Sequence, residues 1–74
     1  MIDGMQIKQG RMLLRWTPKQ LARAAGIRVE AVERVERSTG GELPVTIAHA
    51  AAILGTLHKA GIEFKQGDVR LVTS

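Results

Sequence analysis

The stretch "LARAAGIRVEAVERVE", residues 21–36, decides the fold of this chain because it holds two short helical patterns on either side of one glycine. Alanines precede Gly26, and valines follow it at the spacing of one helix face. Glycine readily adopts the left-handed backbone conformation that often ends a helix. The stretch therefore predicts two helices joined by a tight turn, which is a helix-turn-helix arrangement.

The segment "WTPKQL", residues 16–21, predicts where the first of these two helices begins. Thr17 is a favourable N-cap, Pro18 suits the first helical position, and Gln20 completes a capping box. We expect this helix to run to Ala25. The next helix is predicted to start near Arg28 or Val29 and to end near Ser38. Its apolar stripe consists of Ile27, Ala31, Val32 and Val35.

Outside this pair, the sequence predicts two further helices and a hairpin. Residues 6–15 place Ile7, Met12 and Leu14 near helical spacing, although Gly10 weakens a helix by about 1 kcal/mol relative to alanine. A loop, "STGGELP", precedes a helix capped near Thr46 and ending near Ala60. The core side of that helix is predicted to hold Ile47, Ala50, Ala51, Ile53, Leu54 and Leu57.

The tail "IEFKQGDVRLV" alternates apolar and polar residues around Gln66-Gly67-Asp68, which predicts a short β-hairpin. The expected fold class is thus mainly α: a four-to-five-helix domain that contains the helix-turn-helix, with a C-terminal hairpin. We assign the helix-turn-helix domain to residues 1–60 and the hairpin or strand extension to residues 61–74.

The composition bounds the possible functions. The chain has 74 residues, 45% of them hydrophobic, and no cysteine for a disulfide or a thiolate metal site. No apolar run approaches the roughly 20 residues that span a bilayer, and the N-terminus lacks a signal-type core, so we expect a cytoplasmic protein without a membrane partner. Its formal charge is +4, which favours a polyanionic partner.

That charge is concentrated in residues 1–37, which carry eight basic and four acidic side chains. Residues 38–74 carry three basic and three acidic side chains and have no net charge. The sequence holds no convincing nucleophile–base set and no phosphate-cradling glycine loop, so we expect no enzyme, cofactor or small-molecule ligand. His49 and His58 have no nearby acid or cysteine to complete a metal site, and we expect both on the surface.

With Leu21-Ala22, Gly26, Val32, Val35 and the Glu36-Arg37 pair at these spacings, the chain resembles the phage-repressor and Cro-like helix-turn-helix family, also called xenobiotic-response-element-type regulators. The resemblance covers about residues 6–57 and implies that the fold is a repressor-like helix-turn-helix domain. It implies sequence-specific binding of double-stranded DNA and control of transcription. It also implies a structural ion pair between Arg11 and Glu36, which occupy the family's matching places.

The resemblance places base-reading residues at the start and middle of the third helix, at positions occupied here by Arg28, Val29, Glu30 and Arg34. Contacts to DNA phosphates are expected from Arg15, Lys19, Arg23 and Arg37. In a plainer interpretation, Glu30 pairs with Arg34 and Glu33 pairs with Arg37. Each pair joins residues one helical turn apart and is a surface ion pair.

The alternative function is a protein-interaction module, an antitoxin-like or adaptor helix-turn-helix with little DNA affinity of its own. For a DNA-binding protein we also expect a homodimer, because one recognition helix makes few contacts. The predicted dimer surface joins the end of the fourth helix to the hairpin and comprises Leu54, Leu57, Ile62, Phe64, Val69 and Leu71. In the competing interpretation, Phe64 and Leu71 pack on the chain's own core.

Overall fold

The structure, a computed structural model, describes residues 3–37, 47–65 and 67–72. These residues form four helices and one antiparallel hairpin, in the order α1 (Gly4–Leu13), α2 (Pro18–Ala25), α3 (Val29–Arg37), α4 (Ile47–Lys59), β1 (Ile62–Lys65) and β2 (Asp68–Leu71). The mainly helical fold with a C-terminal hairpin is therefore confirmed. The predicted loop at residues 38–44 and the cap at Thr46 lie outside the described residues.

Helix α2 begins and ends with the devices that the sequence predicts. The Thr17 hydroxyl accepts a hydrogen bond from the Gln20 amide at 3.1 Å, and the Gln20 side-chain oxygen accepts one from the Thr17 amide at 2.7 Å. Gly26 ends the helix in the left-handed conformation, with φ 71° and ψ 32°. The Ile27 amide then donates to the Ala22 carbonyl at 3.0 Å, which closes the turn toward α3.

Because the Thr17 hydroxyl satisfies an otherwise unpaired amide, Thr17→Ala is expected to lower the free energy of unfolding by about 1 kcal/mol. Urea unfolding followed by circular dichroism measures this loss. Thr17→Ser keeps the hydroxyl and should retain most of the stability. An alanine variant as stable as the wild type would show that the cap contributes nothing.

Helix α1 starts earlier than the sequence analysis places it. Asp3 caps it, since its carboxylate accepts from the Gln6 amide at 3.0 Å and the Gln6 side chain accepts from the Asp3 amide at 2.9 Å. The inward stripe runs through Ile7, which is fully buried. The expectation that Met12 shares this stripe is wrong, because Met12 is 58% exposed on another side of the helix.

One core joins the helices and the hairpin. Its fully or nearly buried apolar residues are Ile7, Leu21, Ala22, Val32, Val35, Ile53, Leu57 and Ile62. Helix α4 enters this core through Ile53 and Leu57, which are one turn apart. The expectation that Ala51 lies on the core side of α4 is wrong, because Ala51 is exposed and lies outside this stripe.

In the hairpin, Ile62 pairs with Leu71 and Lys65 with Asp68, so Asp68 belongs to β2 rather than to the predicted turn. Of that turn, Gln66 lies outside the described residues. A Cβ added to Gly10 would lie 3.1 Å from the Ile62 side chain. The glycine that weakens α1 therefore also allows the hairpin to approach the helix closely.

The predicted dimer surface does not exist in the form expected. Leu57 and Ile62 are fully buried within the chain, and Phe64 and Val69 pack partly against the same core. The apolar side of the hairpin thus covers the helices, and Leu71, 37% exposed, is the most accessible strand residue of the set. No helix in the described part of the chain has the length and apolar character needed to cross a membrane.

Candidate nucleic-acid interface

Helix α3 is fixed to the body by one apolar side. Val32 and Val35 are fully buried in the core, and Ile27 and Val29 pack partly against it. These contacts leave the opposite side of α3 in solvent. Since Val29 is half-buried, it has less side-chain surface free for a ligand than the other predicted base-reading residues.

Three of the four predicted base-reading residues, Arg28, Glu30 and Arg34, are exposed. None of their side chains makes a hydrogen bond or an ion pair within residues 3–37, 47–65 and 67–72. The Glu30–Arg34 surface pair does not form in this structure. Their donors and acceptors are therefore available to a partner.

The predicted Glu33–Arg37 surface pair is likewise not formed. Helical spacing permits such a pair, but in solvent it gains little over hydration. Both side chains are exposed at the end of α3.

The predicted pair between Arg11 of α1 and Glu36 of α3 forms with two parallel hydrogen bonds. The Arg11 Nε donates to Glu36 Oε2 at 2.7 Å, and Nη2 donates to Oε1 at 2.9 Å. The two side chains are only 10% and 9% exposed. This paired geometry, which is the strong form of an arginine–carboxylate contact, connects α1 to the end of α3.

Arg11 makes a third contact that the sequence analysis missed. Its Nη1 donates to the backbone carbonyl of Trp16 at 2.7 Å, just before the cap of α2. One guanidinium thus connects α1, the entry to α2 and the end of α3. No sequence pattern points to this bond, because the acceptor is a main-chain oxygen that any residue would supply.

The predicted phosphate-contacting residues Arg15, Lys19, Arg23 and Arg37 are all exposed. Lys19 and Arg23 lie one turn apart on α2, outside its buried residues Leu21 and Ala22. Arg15 follows α1 in the left-handed region, with φ 59°, where its amide donates to the Met12 carbonyl at 2.9 Å.

The buried pair changes the charge that α2 and α3 present. The segment 18–37 carries five basic and three acidic residues. Glu36 is neutralised by Arg11, which lies outside this segment, so the exposed acids are Glu30 and Glu33. The surface of α2 and α3 therefore carries five exposed basic side chains and two exposed carboxylates. It is more positive than the α3 sequence alone indicates.

Among the described residues, no cluster of three or more histidine, cysteine, aspartate or glutamate side chains could hold a metal ion. His49 and His58 are both exposed on α4. Comparisons of the chain with protein-family models, curated proteins and solved structures found no match.

Proposed function

We propose that this protein is a sequence-specific, double-stranded DNA-binding regulator of transcription, acting in the cytoplasm, with α3 as its recognition helix. The observation that carries the proposal is the exposed, unpaired set Arg28, Glu30 and Arg34 on a helix anchored from behind by Val32 and Val35. A helix with these properties fits the major groove, where base edges are distinguishable.

Each of these side chains matches a base-edge pattern. Arg28 and Arg34 carry guanidinium forks that can donate two hydrogen bonds to the O6 and N7 atoms of guanine. Glu30 accepts from the exocyclic amine of cytosine. The methyl groups of Val29 suit a thymine methyl, but its partial burial limits it to a contact at the groove edge.

The basic residues around α3 supply the sequence-independent part of binding. Lys19, Arg23, Arg15 and Arg37 are exposed and unpaired in the described part of the chain, so each can neutralise a phosphate. Neutralised phosphates release counterions, and affinity then falls steeply with salt. Arg11 and Glu36 contribute by holding α3 against α1 and the start of α2.

We expect Arg34→Ala to weaken binding to a specific duplex by about 1–3 kcal/mol and to relax base preference, because a base-edge contact is lost. Selection from a random duplex library supplies the site, and fluorescence anisotropy measures affinity across salt concentrations. The exposed Lys65 lies on β1, in the hairpin and not on α2 or α3, so Lys65→Ala is the control for charge removal and should leave base preference unchanged.

Lys19→Ala is expected to behave differently from Arg34→Ala. It should weaken all duplexes alike and reduce the salt slope by about one unit, since it removes one phosphate contact. Failure of the wild type to bind any duplex at low salt would refute the proposal. So would a salt slope near zero, which indicates an interface without phosphates.

The second candidate function is a protein-interaction module. The observation that favours it is the pair of exposed carboxylates, Glu30 and Glu33, among the arginines of α3. A surface of mixed sign suits a protein partner of complementary charge. In that case the variants Glu30→Gln and Glu33→Gln should strengthen DNA binding nonspecifically while weakening capture of the protein partner.

A further inference from the structure

A pocket of about 320 Å³ lies between α2 and the end of α4. Its lining residues are Trp16, Ala24, Thr56, Lys59 and Ala60. Trp16 directly precedes the cap of α2, Ala24 lies in the last turn of that helix, and the other three lie at the end of α4 or just after it. Since these residues are far apart in the sequence, no local motif marks the pocket, and the sequence analysis expects no small-molecule ligand.

Three polar side chains line this pocket, and all of them can donate hydrogen bonds. The Trp16 indole N–H and the Lys59 ammonium only donate, whereas the Thr56 hydroxyl can donate or accept. None of these side chains makes a hydrogen bond or an ion pair within the residues that the structure describes. The described chain leaves no buried side-chain N or O atom without a partner, so the unpaired Trp16 and Thr56 groups are accessible to a ligand.

The charge of the lining indicates the charge of a ligand. Of the five lining residues, only Lys59 is charged. One ammonium balances one negative charge, and a hydrogen bond between ionised groups is stronger than a neutral one. A carboxylate has one charge and two oxygens, which supply enough lone pairs for all three donors. A doubly charged phosphate matches the pocket less well, because no second basic side chain lines it.

The rest of the lining is apolar. Ala24 and Ala60 present only methyl groups, and the Trp16 indole adds an aromatic surface against which another ring can stack. Trp16 is half-buried and packs partly against the core, so its ring is held by its neighbours. The volume is at the lower end of the range for ligand pockets, about 300–1,000 Å³, which suits a molecule with one ring rather than a nucleotide.

We propose that this pocket binds a small aromatic carboxylate, with its ring against Trp16 and its carboxylate at Lys59 and Thr56. This inference does not rest on DNA binding. The pocket is assembled from α2 and α4 and therefore exists only in the folded chain. A ligand that binds only the folded chain raises the melting temperature.

Benzoate is the probe, and the Trp16 indole N–H is the reporter. The chain has one tryptophan, so its indole signal in a ¹⁵N–¹H NMR spectrum is unique. Titration with sodium benzoate at constant ionic strength should shift this signal, with a dissociation constant on the order of 1 mM for a ligand with so few atoms. Benzamide has the same ring without the charge and should bind about tenfold or more weakly. Inorganic phosphate has no ring and should leave the signal unchanged.

Variants at Lys59 test the assignment of the carboxylate. Lys59→Gln should weaken benzoate binding about tenfold or more, because the charged donor is lost. Lys59→Arg keeps the charge and should retain most of the affinity. Lys65→Gln removes the same charge from the hairpin, outside this pocket, and should bind benzoate like the wild type. Circular dichroism checks that each variant is folded.

Thermal unfolding gives a second, independent measurement. A saturating benzoate concentration should raise the melting temperature of the wild type and of Lys65→Gln more than that of Lys59→Gln. An indole signal that does not move at benzoate concentrations up to about 20 mM overturns the proposal. Benzoate affinity that Lys59→Gln leaves unchanged also overturns it, as does a response to inorganic phosphate equal to that for benzoate.

Discussion

Glu36→Ala is expected to lower the free energy of unfolding by about 3–5 kcal/mol, because it leaves the Arg11 guanidinium buried without its carboxylate. The side chains of the pair are about nine-tenths buried and share two hydrogen bonds of 2.7 and 2.9 Å. A chain of 74 residues is stable by roughly 4–11 kcal/mol at typical values, so this loss is a large fraction of the total. Urea unfolding followed by Trp16 fluorescence measures it.

Glu33→Ala is the matched control, since it removes the same side chain from the exposed side of the same helix. It should change stability by at most about 0.5 kcal/mol. The double variant Arg11→Met/Glu36→Leu replaces the whole pair with apolar groups and should recover part of the loss. A loss below about 1 kcal/mol for Glu36→Ala would show that the pair behaves like a surface contact.

The effect of this pair on DNA binding follows from its position. The Arg11 guanidinium also donates to the Trp16 carbonyl, so it connects α3 to the start of α2. When Glu36 is removed, this guanidinium no longer holds the end of α3. If α3 reads bases as proposed, Glu36→Ala should weaken specific binding more than nonspecific binding. Only the specific contacts require α3 to be held in one orientation.

Local features of α2 and the α2–α3 turn could be predicted because their causes are local. The capping box of Thr17 and Gln20 depends on residues three apart, and the left-handed conformation of Gly26 depends on one residue. The burial of Val32 and Val35 follows from helical spacing alone. Among the site residues, the exposure of Arg28, Glu30 and Arg34 follows from the same spacing.

Features that depend on how distant segments pack could not be predicted in this way. The sequence places Met12 and Ala51 on apolar sides, but which side of α1 or α4 is covered depends on where the other elements lie. The burial of Leu57 and Ile62 together depends on the hairpin folding back over α1 and α4. Arg11 and Glu36 are 25 positions apart in the sequence. Their pairing could be predicted only from the resemblance to a known family.

Gly61→Ala is expected to lower the free energy of unfolding by about 2–4 kcal/mol, because strain and a steric clash add together. Gly61 has φ +104°, a conformation that L side chains rarely adopt. A Cβ there would lie 2.8 Å from the Val72 carbonyl oxygen, which is backbone and cannot rotate away. Moving the strands apart would break the 2.7 Å bond from the Val72 amide to the Gly61 carbonyl.

Gly67→Ala separates these two causes. Gly67 also has a positive φ, +81°, but no atom of the residues that the structure describes lies within 4 Å of its built Cβ, so only the conformational cost of about 1–2 kcal/mol applies. Urea unfolding should therefore rank wild type, Gly67→Ala and Gly61→Ala in order of falling stability. Because Ile62 follows Gly61 directly and is fully buried, the clash at Gly61 should disturb the core as well as the hairpin. Equal losses for the two variants would show that the close approach to Val72 is not what requires glycine at position 61.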